Sequence, residues 1–388
     1  MKGFIEKRGN SRRLIVYLGK DPATGKERRV RKTVRGSEKD AQKALRDLLH
    51  SIDEGTFVEP AKITLEQYLE QWLGTHKANV EPTTHDWYVM VCRKHIIPHL
   101  GRVQLQKLTP LAIQQFYASK LQEGRLDGKG KSLSPNTVRH IHRVLHKALN
   151  AAVKLQLIPR NPCDAVEPPK AVKKEARYWT PEEAAQFLEA IQGDRLYALF
   201  HVALGTGLRR GELLGLRWQD VDLSEGCLTV QQEIVRKSKG TLVKAPKTEK
   251  SRATISLSHA VVEVLKKHKA RQAQERLLMG DQYHDGGGLV FTTFEGKPLD
   301  PSYISGDYFS KLIEKAKVRK INFHALRHTH ATILASQRVP LKVVSERLRH
   351  SSVAITGDIY SHVFTEMDRQ AADSFDAAMQ AAKERKKA

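Results

Sequence analysis

Cysteine is scarce in this chain: Cys92, Cys163 and Cys227 are the only three in 388 residues, and they lie far apart. An odd, scattered set excludes a disulfide framework and offers no zinc spacing, so buried or neutral thiols in a reducing compartment are expected. Long apolar runs are missing too. No stretch approaches the ~20 residues of a membrane-spanning helix, and the opening "MKGFIEKRGN" has no apolar segment of the secretory kind. A cytosolic protein is expected. Acid is also in short supply: 43 Asp+Glu face 66 Lys+Arg, a formal charge of +23. Self-repulsion on that scale is usually tolerated because a polyanion is the partner. Nucleic acid leads, ahead of an anionic membrane surface or a merely basic soluble protein.

What is present is enough apolar residue, 40%, to build real cores. The length suggests two or three domains, and the composition divides into three blocks. Residues 1–60 hold "GFIEKRG", "RRLIVYLG" and "ERRVRKTV", separated by "NS" and "KDPATGK". Short β-branched runs with turn residues between them predict a three-stranded meander. "SEKDAQKALRDLLHSIDEG" then predicts a helix capped by Ser37, with Ala41, Ala44, Leu45 and Leu48 on one stripe. Arg12, Arg13, Arg28, Arg29, Arg31, Lys32 and Arg35 all fall on the strands. Such a basic sheet is either a solvated face or a ribbon for a DNA groove, and the charge favours DNA.

Residues 63–165 read as nearly all helix. Leu65, Tyr68, Leu69 and Trp72 form one apolar stripe, and "EPTTHDWYVMVCRKHIIPHLG" continues the helical pattern. Thr109-Pro110 and Ser134-Pro135 are two further helix starts. After the second start, Arg139, Arg143 and Lys147 recur every fourth residue as a cationic stripe suited to tracking phosphates. "EPPKAVKKEARYW" has linker composition. Thr180, Pro181 and Glu183 then open a mixed α and β region, mostly helical, within 175–388. The fold class expected is multidomain and mainly α with small β parts.

The chemistry-bearing residues sit in that last region. In "TGLRRGELLGLRW", Leu208, Leu213, Leu214 and Leu216 predict a buried helix with Arg209 and Arg210 at its start. Arginine there opposes the helix dipole, and an anion held by guanidinium and backbone amides would justify it. Glu212 is placed to brace one of the two. Residues 226–257 read as strand, turn, strand, with Lys247 and Lys250 in the polar tip "PKTEKSR". "FHALRHTHAT" starts another helix and sets His324 and Arg327 one turn apart. "LRHSSVAITGDIYSHV" adds His350 and, ten residues on, Tyr360.

These four motifs, in this order and spacing, closely resemble the tyrosine recombinase, or phage integrase, family over roughly 175–365. The layout upstream is similar to longer members with an arm-binding module (here 1–60) and a helical, SAM-like core-binding domain (63–165) before the catalytic domain (175–388). The resemblance implies a site-specific recombinase that cuts DNA through a 3′-phosphotyrosyl link, integrating or excising a mobile element or prophage. Tyr360 matches the nucleophile, Arg209, Arg327 and His350 the donors to the scissile phosphate, and Lys247 the general acid. His324 matches a position that manages the proton near the nucleophile, and Glu212 would orient Arg209. No metal and no cofactor are implied. Implied partners are double-stranded DNA attachment sites of core and arm type, three further copies in a homotetramer, and a directionality factor or DNA-bending accessory protein. No membrane partner is implied. One position departs from the pattern. The family usually has Leu-Gly-His where this chain has Leu348-Arg349-His350, and arginine lacks glycine's freedom at positive φ. Arg349 is expected to tilt His350 or to add a phosphate contact.

Blander readings cover the other residues. His328 and His330 are two apart, share no helical face, and read as structural rather than as zinc ligands. His362 reads as buried or supporting, Trp179 and Trp218 as core, and Tyr303 and Tyr308 as out of frame for a nucleophile. Met367, Ala371, Phe375 and Met379 give the last helix an apolar stripe that should be buried, on its own domain or in a neighbouring subunit. Two alternatives differ in class: a type IB topoisomerase-like strand transferase, and a catalytically impaired DNA-binding relative.

Overall fold

The computed structural model describes residues 3–20, 25–54, 57–123, 132–172, 177–236, 240–245, 253–285, 287–350, 352, 353, 357 and 364–385, with backbone alone for 8, 364–371 and 385. Residues 1–173 and 174–388 are two compact units.

The first unit opens with β1 (Gly3–Arg8), β2 (Ser11–Lys20) and β3 (Glu27–Arg35), an antiparallel meander in that order. Val16 lies opposite Val30, and both are buried with Leu48 of α1 (Glu38–Asp53). Ser37 caps α1 as its sequence predicts: its hydroxyl accepts from the Asp40 amide at 3.3 Å, and the Asp40 carboxylate accepts from the Ser37 amide at 2.8 Å. Successive strand residues face opposite sides. With Val16 and Val30 beneath α1, the pairs Arg13–Thr33, Ile15–Arg31, Tyr17–Arg29 and Ser11–Arg35 fall on the open face. Phe4 joins them there opposite Ile15, and Phe4 and Tyr17 are both exposed. The seven basic strand residues therefore divide. Arg12, Arg28 and Lys32 lie on the helix side, where Arg12 donates to the Gly36 carbonyl and Arg28 to Glu59.

The rest of this unit is helical: α2 (Leu65–His76), α3 (Pro82–Val91), α4 (Ile97–Leu100), α5 (Pro110–Glu123) and α6 (Pro135–Lys154). All four residues of the predicted α2 stripe are buried, and the Tyr68 hydroxyl donates to the Ala148 carbonyl at 2.6 Å. Burying side chains of this size contributes about 1.5–3 kcal/mol each. Between α3 and α4 the chain widens into a π-turn over Cys92–Ile96, where the Ile97 amide reaches back to the Cys92 carbonyl. Pro98 follows and has no amide to continue the ladder. Cys92 and Cys163 are buried, and burial pushes both thiols up to about 12, so they are neutral. On α6, Arg143 is exposed, Lys147 donates to the Tyr88 hydroxyl at 3.1 Å, and Arg139 donates to the Pro169 carbonyl at 3.4 Å.

The second unit packs α7 (Pro181–Ala190), α8 (Tyr197–Thr206), α9 (Arg210–Leu214), α10 (His259–Met279), α11 (Pro301–Tyr303), α12 (Phe309–Ala316), α13 (Ala325–Ser336) and α14 (Leu341–Leu348) beside two small sheets. Thr180 and Glu183 cap α7 reciprocally, at 2.9 and 3.3 Å. Trp179 is fully buried, while Trp218 is only partly buried and donates to the Gln272 side chain at 2.6 Å. The expected strand-turn-strand is two nested pairs instead. β5 (Cys227–Thr229) pairs with β8 (Thr254–Ser256) and with β4 (Val221–Asp222). β6 (Glu233–Arg236) and β7 (Thr241–Lys244) form a separate hairpin. The C-terminal helix, Phe364–Arg385, departs from its expectation. Residues 372–384 are all exposed, Phe375 and Met379 among them, so the described half of this stripe is not buried on its own unit. Amphipathicity states that a face needs cover; it does not state what provides it. No described helix is long and apolar enough to cross a membrane.

Candidate active site

Two left-handed corners face each other in the second unit. The first ends α8 at Gly207, with φ 66° and ψ 22°. The second ends α14 at Arg349, with φ 55° and ψ 48°. Gly207 is required twice over. Its φ favours glycine, and a Cβ there would meet Leu348 Cδ2 at 2.6 Å and His330 Cδ2 at 2.9 Å. Leu348, fully buried just before the second corner, thus closes against the first.

Arg327, on the first turn of α13 and 2% exposed, clips the corners together. Its Nη1 donates to the Gly207 carbonyl at 2.7 Å and its Nη2 to the Leu348 carbonyl. Burial, then the nearby Arg209 guanidinium, lowers its pKa to about 9, so it remains charged at neutral pH. Arg209 leaves the first corner as the N-cap of α9. Its amide donates to Glu212 Oε2 at 2.8 Å, its Nη1 to Glu212 Oε1 at 2.8 Å, and its Nη2 to the Arg349 carbonyl at 3.1 Å. Glu212 braces Arg209 as the sequence suggests. Arg210 points elsewhere and donates to Ser305.

Around these arginines lie four histidines. His350 follows the second corner, with its amide on the Ser345 carbonyl at 3.1 Å. Burial, then Arg327 and Arg209, pushes its pKa down to about 4, so it is neutral at pH 7. His324 is the N-cap residue of α13 and more open to solvent. Crowding of its ring by protein, then His328, Arg327 and Arg209, lowers its pKa to about 4 as well. The rings of His324 and His328 meet edge to face at 5.0 Å. His330 has a structural place: its Nδ1 lies 2.7 Å from the Leu204 carbonyl, and Arg347 donates to its Nε2 at 3.1 Å.

The structure therefore brings together Arg209, Glu212, His324, Arg327 and His350. Lys247, Tyr360 and His362 lie outside the described residues. Tyr308 is occupied by a 2.7 Å hydrogen bond to Asp194. One arginine went unread, and another was read with the wrong partner. Arg347 holds His330 and the carbonyls of Gly205 and Ser256, both at 3.1 Å. Arg349 was expected to tilt His350 or reach phosphate. It turns inward to pair with Glu212, and its side chain is 1% exposed. The missing glycine in "LRH" was the available signal; the distant partner was not.

Chemically, three guanidinium groups lie around one carboxylate that accepts from two of them, Arg209 and Arg349, with the neutral histidines His324 and His350 beside them. An excess of positive charge with unspent N–H donors is complementary to an anion carrying several oxygens. No group of three or more His, Cys, Asp or Glu side chains fit to hold a metal occurs among the described residues.

A model of the phage integrase family matches residues 177–367, and one of the phage integrase N-terminal SAM-like domain matches residues 64–121. The chain is 33% identical to a tyrosine recombinase XerC-like protein of Caldanaerobacter subterraneus subsp. tengcongensis, with 93% of this chain and 95% of that one covered. It is 27% identical to the ICEBs1 integrase of Bacillus subtilis, over the same shares of each. Among solved structures, the Tn1549 transposon integrase in complex with circular intermediate DNA is similar with a TM-score of 0.64 at 23% identity, covering 79% of this chain and 99% of that one. A lambda integrase dimer bound to a COC′ core site gives a TM-score of 0.58 at 19% identity, covering 92% of this chain and 93% of that one.

Proposed function

The chain belongs to the phage integrase family of tyrosine recombinases, and from that premise we propose how its own residues divide the reaction. It is a site-specific DNA recombinase, and DNA is its partner. The Tyr360 oxygen attacks the scissile phosphorus as the bond to the 5′-oxygen breaks, giving a 3′-phosphotyrosyl link and a free 5′-hydroxyl. Lys247 protonates the departing 5′-oxygen, and His324, neutral at pH 7, accepts the tyrosine proton.

A phosphodiester resists this attack because its anionic oxygens repel the nucleophile and charge accumulates on them in the transition state. Arg209 and Arg327 donate to the non-bridging oxygens, and His350 adds a donor. One such donor is worth about 10²–10³ in rate. The guanidinium groups supply the electrophilic stabilisation, so the reading needs no metal. The phosphotyrosyl bond keeps the energy for rejoining by another strand's 5′-hydroxyl, so it needs no nucleotide.

The observation that carries this reading is the convergence of Arg209, Arg327 and His350 on two facing corners with Glu212 fixed between them. We assign 1–60 to arm-type DNA sites through the open sheet face, 63–165 to core sites with the Arg139–Arg143–Lys147 stripe, and 175–388 to catalysis. The exposed Phe375 and Met379 support docking of the C-terminal helix on a neighbouring copy in a homotetramer; deleting residues after 366 should then abolish tetramers on DNA. A directionality factor or DNA-bending protein acts alongside. The setting is the host cytoplasm and the product an integrated or excised element. The catalytically impaired alternative loses its motive, because Arg349 keeps the left-handed corner that glycine would give.

The deciding experiment incubates the protein and excess chelator with nicked duplexes tiled from the DNA flanking its gene. A denaturation-resistant protein–DNA band, lost in Tyr360→Phe, is the expected outcome. A band that survives Tyr360→Phe would overturn the assignment.

A further inference from the structure

We propose that Arg349 is a positioning residue for strand cleavage: its buried guanidinium takes up part of the Glu212 carboxylate, fixing Glu212 and Arg209 as one unit and leaving Arg209 with positive charge to spend on the scissile phosphate. The inference rests on the site assignment above and deepens it.

Five observations carry it. Arg349 adopts the left-handed conformation despite its side chain, at a cost of about 1–2 kcal/mol relative to glycine. Something local must offset that cost. Its side chain is 1% exposed and is ion-paired with Glu212, itself 4% exposed. Glu212 is also held by the Arg209 amide and by Arg209 Nη1, so one carboxylate serves two guanidinium groups. The Arg349 carbonyl, in turn, accepts from Arg209 Nη2. Arg209 is therefore tied to Arg349 twice, once directly and once through Glu212. Finally, Arg349 Nε and Nη1 are buried without an acceptor among the described residues. That under-satisfied interior cation makes little sense for stability alone, since an unmet buried donor costs free energy.

The charge count follows. With glycine at 349, two arginines would face one carboxylate. With arginine there, three do, and the added charge is buried, where low dielectric strengthens its effect. Arg349 does not touch the reacting atoms in this reading. It acts through Glu212 and Arg209.

Arg349→Gly separates backbone from side chain, because glycine accepts the corner's φ without strain and should fold. The single-turnover rate of covalent adduct formation is measured on the nicked flanking duplexes, with DNA affinity and thermal melting alongside. Expected for Arg349→Gly is cleavage about 10-fold slower, below the ~10²–10³ of a direct donor, with DNA affinity within about two-fold of the parent. Arg349→Lys should recover part of the rate, because an ammonium can still reach Glu212. In Glu212→Gln the effect of Arg349→Gly should shrink, as expected for residues acting through one group. Cleavage by Arg349→Gly at the parent rate overturns the proposal, and so do Gly and Lys variants that are equally slow. A parent chain that forms no adduct, or a Tyr360→Phe variant that does, overturns the underlying site assignment instead.

Discussion

Arginine is used in two opposite ways in this molecule. On the open face of the N-terminal sheet, Arg13, Arg29 and Arg31 stand on a pleated surface facing solvent, and the Arg29–Glu27 pair is about half exposed on both sides. Exposed pairs of that kind are worth roughly 0–1 kcal/mol and weaken with salt. In the second unit, Arg327, Arg347 and Arg349 are threaded between elements and bonded to main-chain carbonyls or to a buried carboxylate. The same side chain is a movable charge in one place and a structural clip in the other. Net charge advertises the first use and hides the second.

That contrast can be broken or sharpened by substitution. The largest effect should come from Arg327. Replacing it by Ala removes the proposed phosphate donor and the clip between the corners, so single-turnover adduct formation should fall by at least ~10²–10³. Arg327→Lys, which keeps the charge but cannot span two carbonyls, should recover little of that rate. Parent-like cleavage by the lysine variant would reduce the clip to a plain charge.

Next comes Gly207→Ala, which touches no arginine yet attacks what they hold. A methyl group 2.6 Å from Leu348 Cδ2 at positive φ should cost about 2–4 kcal/mol. Thermal melting of the full chain should drop by several degrees, and an unchanged melting temperature would deny the close approach of the two corners.

A third effect is set by pH. Burial holds His268, His330 and His350 down at about 4 against an ordinary 6.5. Between pH 6.5 and about 4 the unfolded chain takes up protons that the folded chain refuses, so stability is full above 6.5 and declines as pH falls through that window. The melting temperature should track this decline, and His330→Gln should flatten it. An equally steep decline in the variant would mean that His330 is not held neutral.

The smallest effect belongs to the sheet. Arg31→Ala should weaken DNA binding evenly across sequences and reduce the slope of log K against log salt by about 0.9, one phosphate contact. An unchanged slope would remove Arg31 from the DNA face.

Much of this was legible in the chain. The three strands, the caps at Ser37 and Thr180, and the order of Arg209, His324, Arg327 and His350 follow from local chemistry, and local chemistry is written in adjacent residues. The π-turn at Cys92–Ile96 was not legible, because its cause is one displaced hydrogen bond inside a continuous helical pattern. Nor was the Arg349–Glu212 pair, which joins residues 137 apart that no periodicity connects. The stripe of the C-terminal helix misled in a third way: Phe375 and Met379 state a need for cover, and the described chain leaves it unmet.

The clip formed by Arg327 also bears on when disorder is removed. A free arginine side chain carries about 2 kcal/mol of rotamer entropy. Here that freedom is surrendered as the chain folds, when two corner carbonyls select one rotamer, and not later when DNA arrives. Arg209, tethered to Glu212 and to the Arg349 carbonyl, is ordered in the same way. Encounter with a phosphate then requires no search among side-chain conformations, so binding energy from the rest of the duplex need not be spent on ordering them.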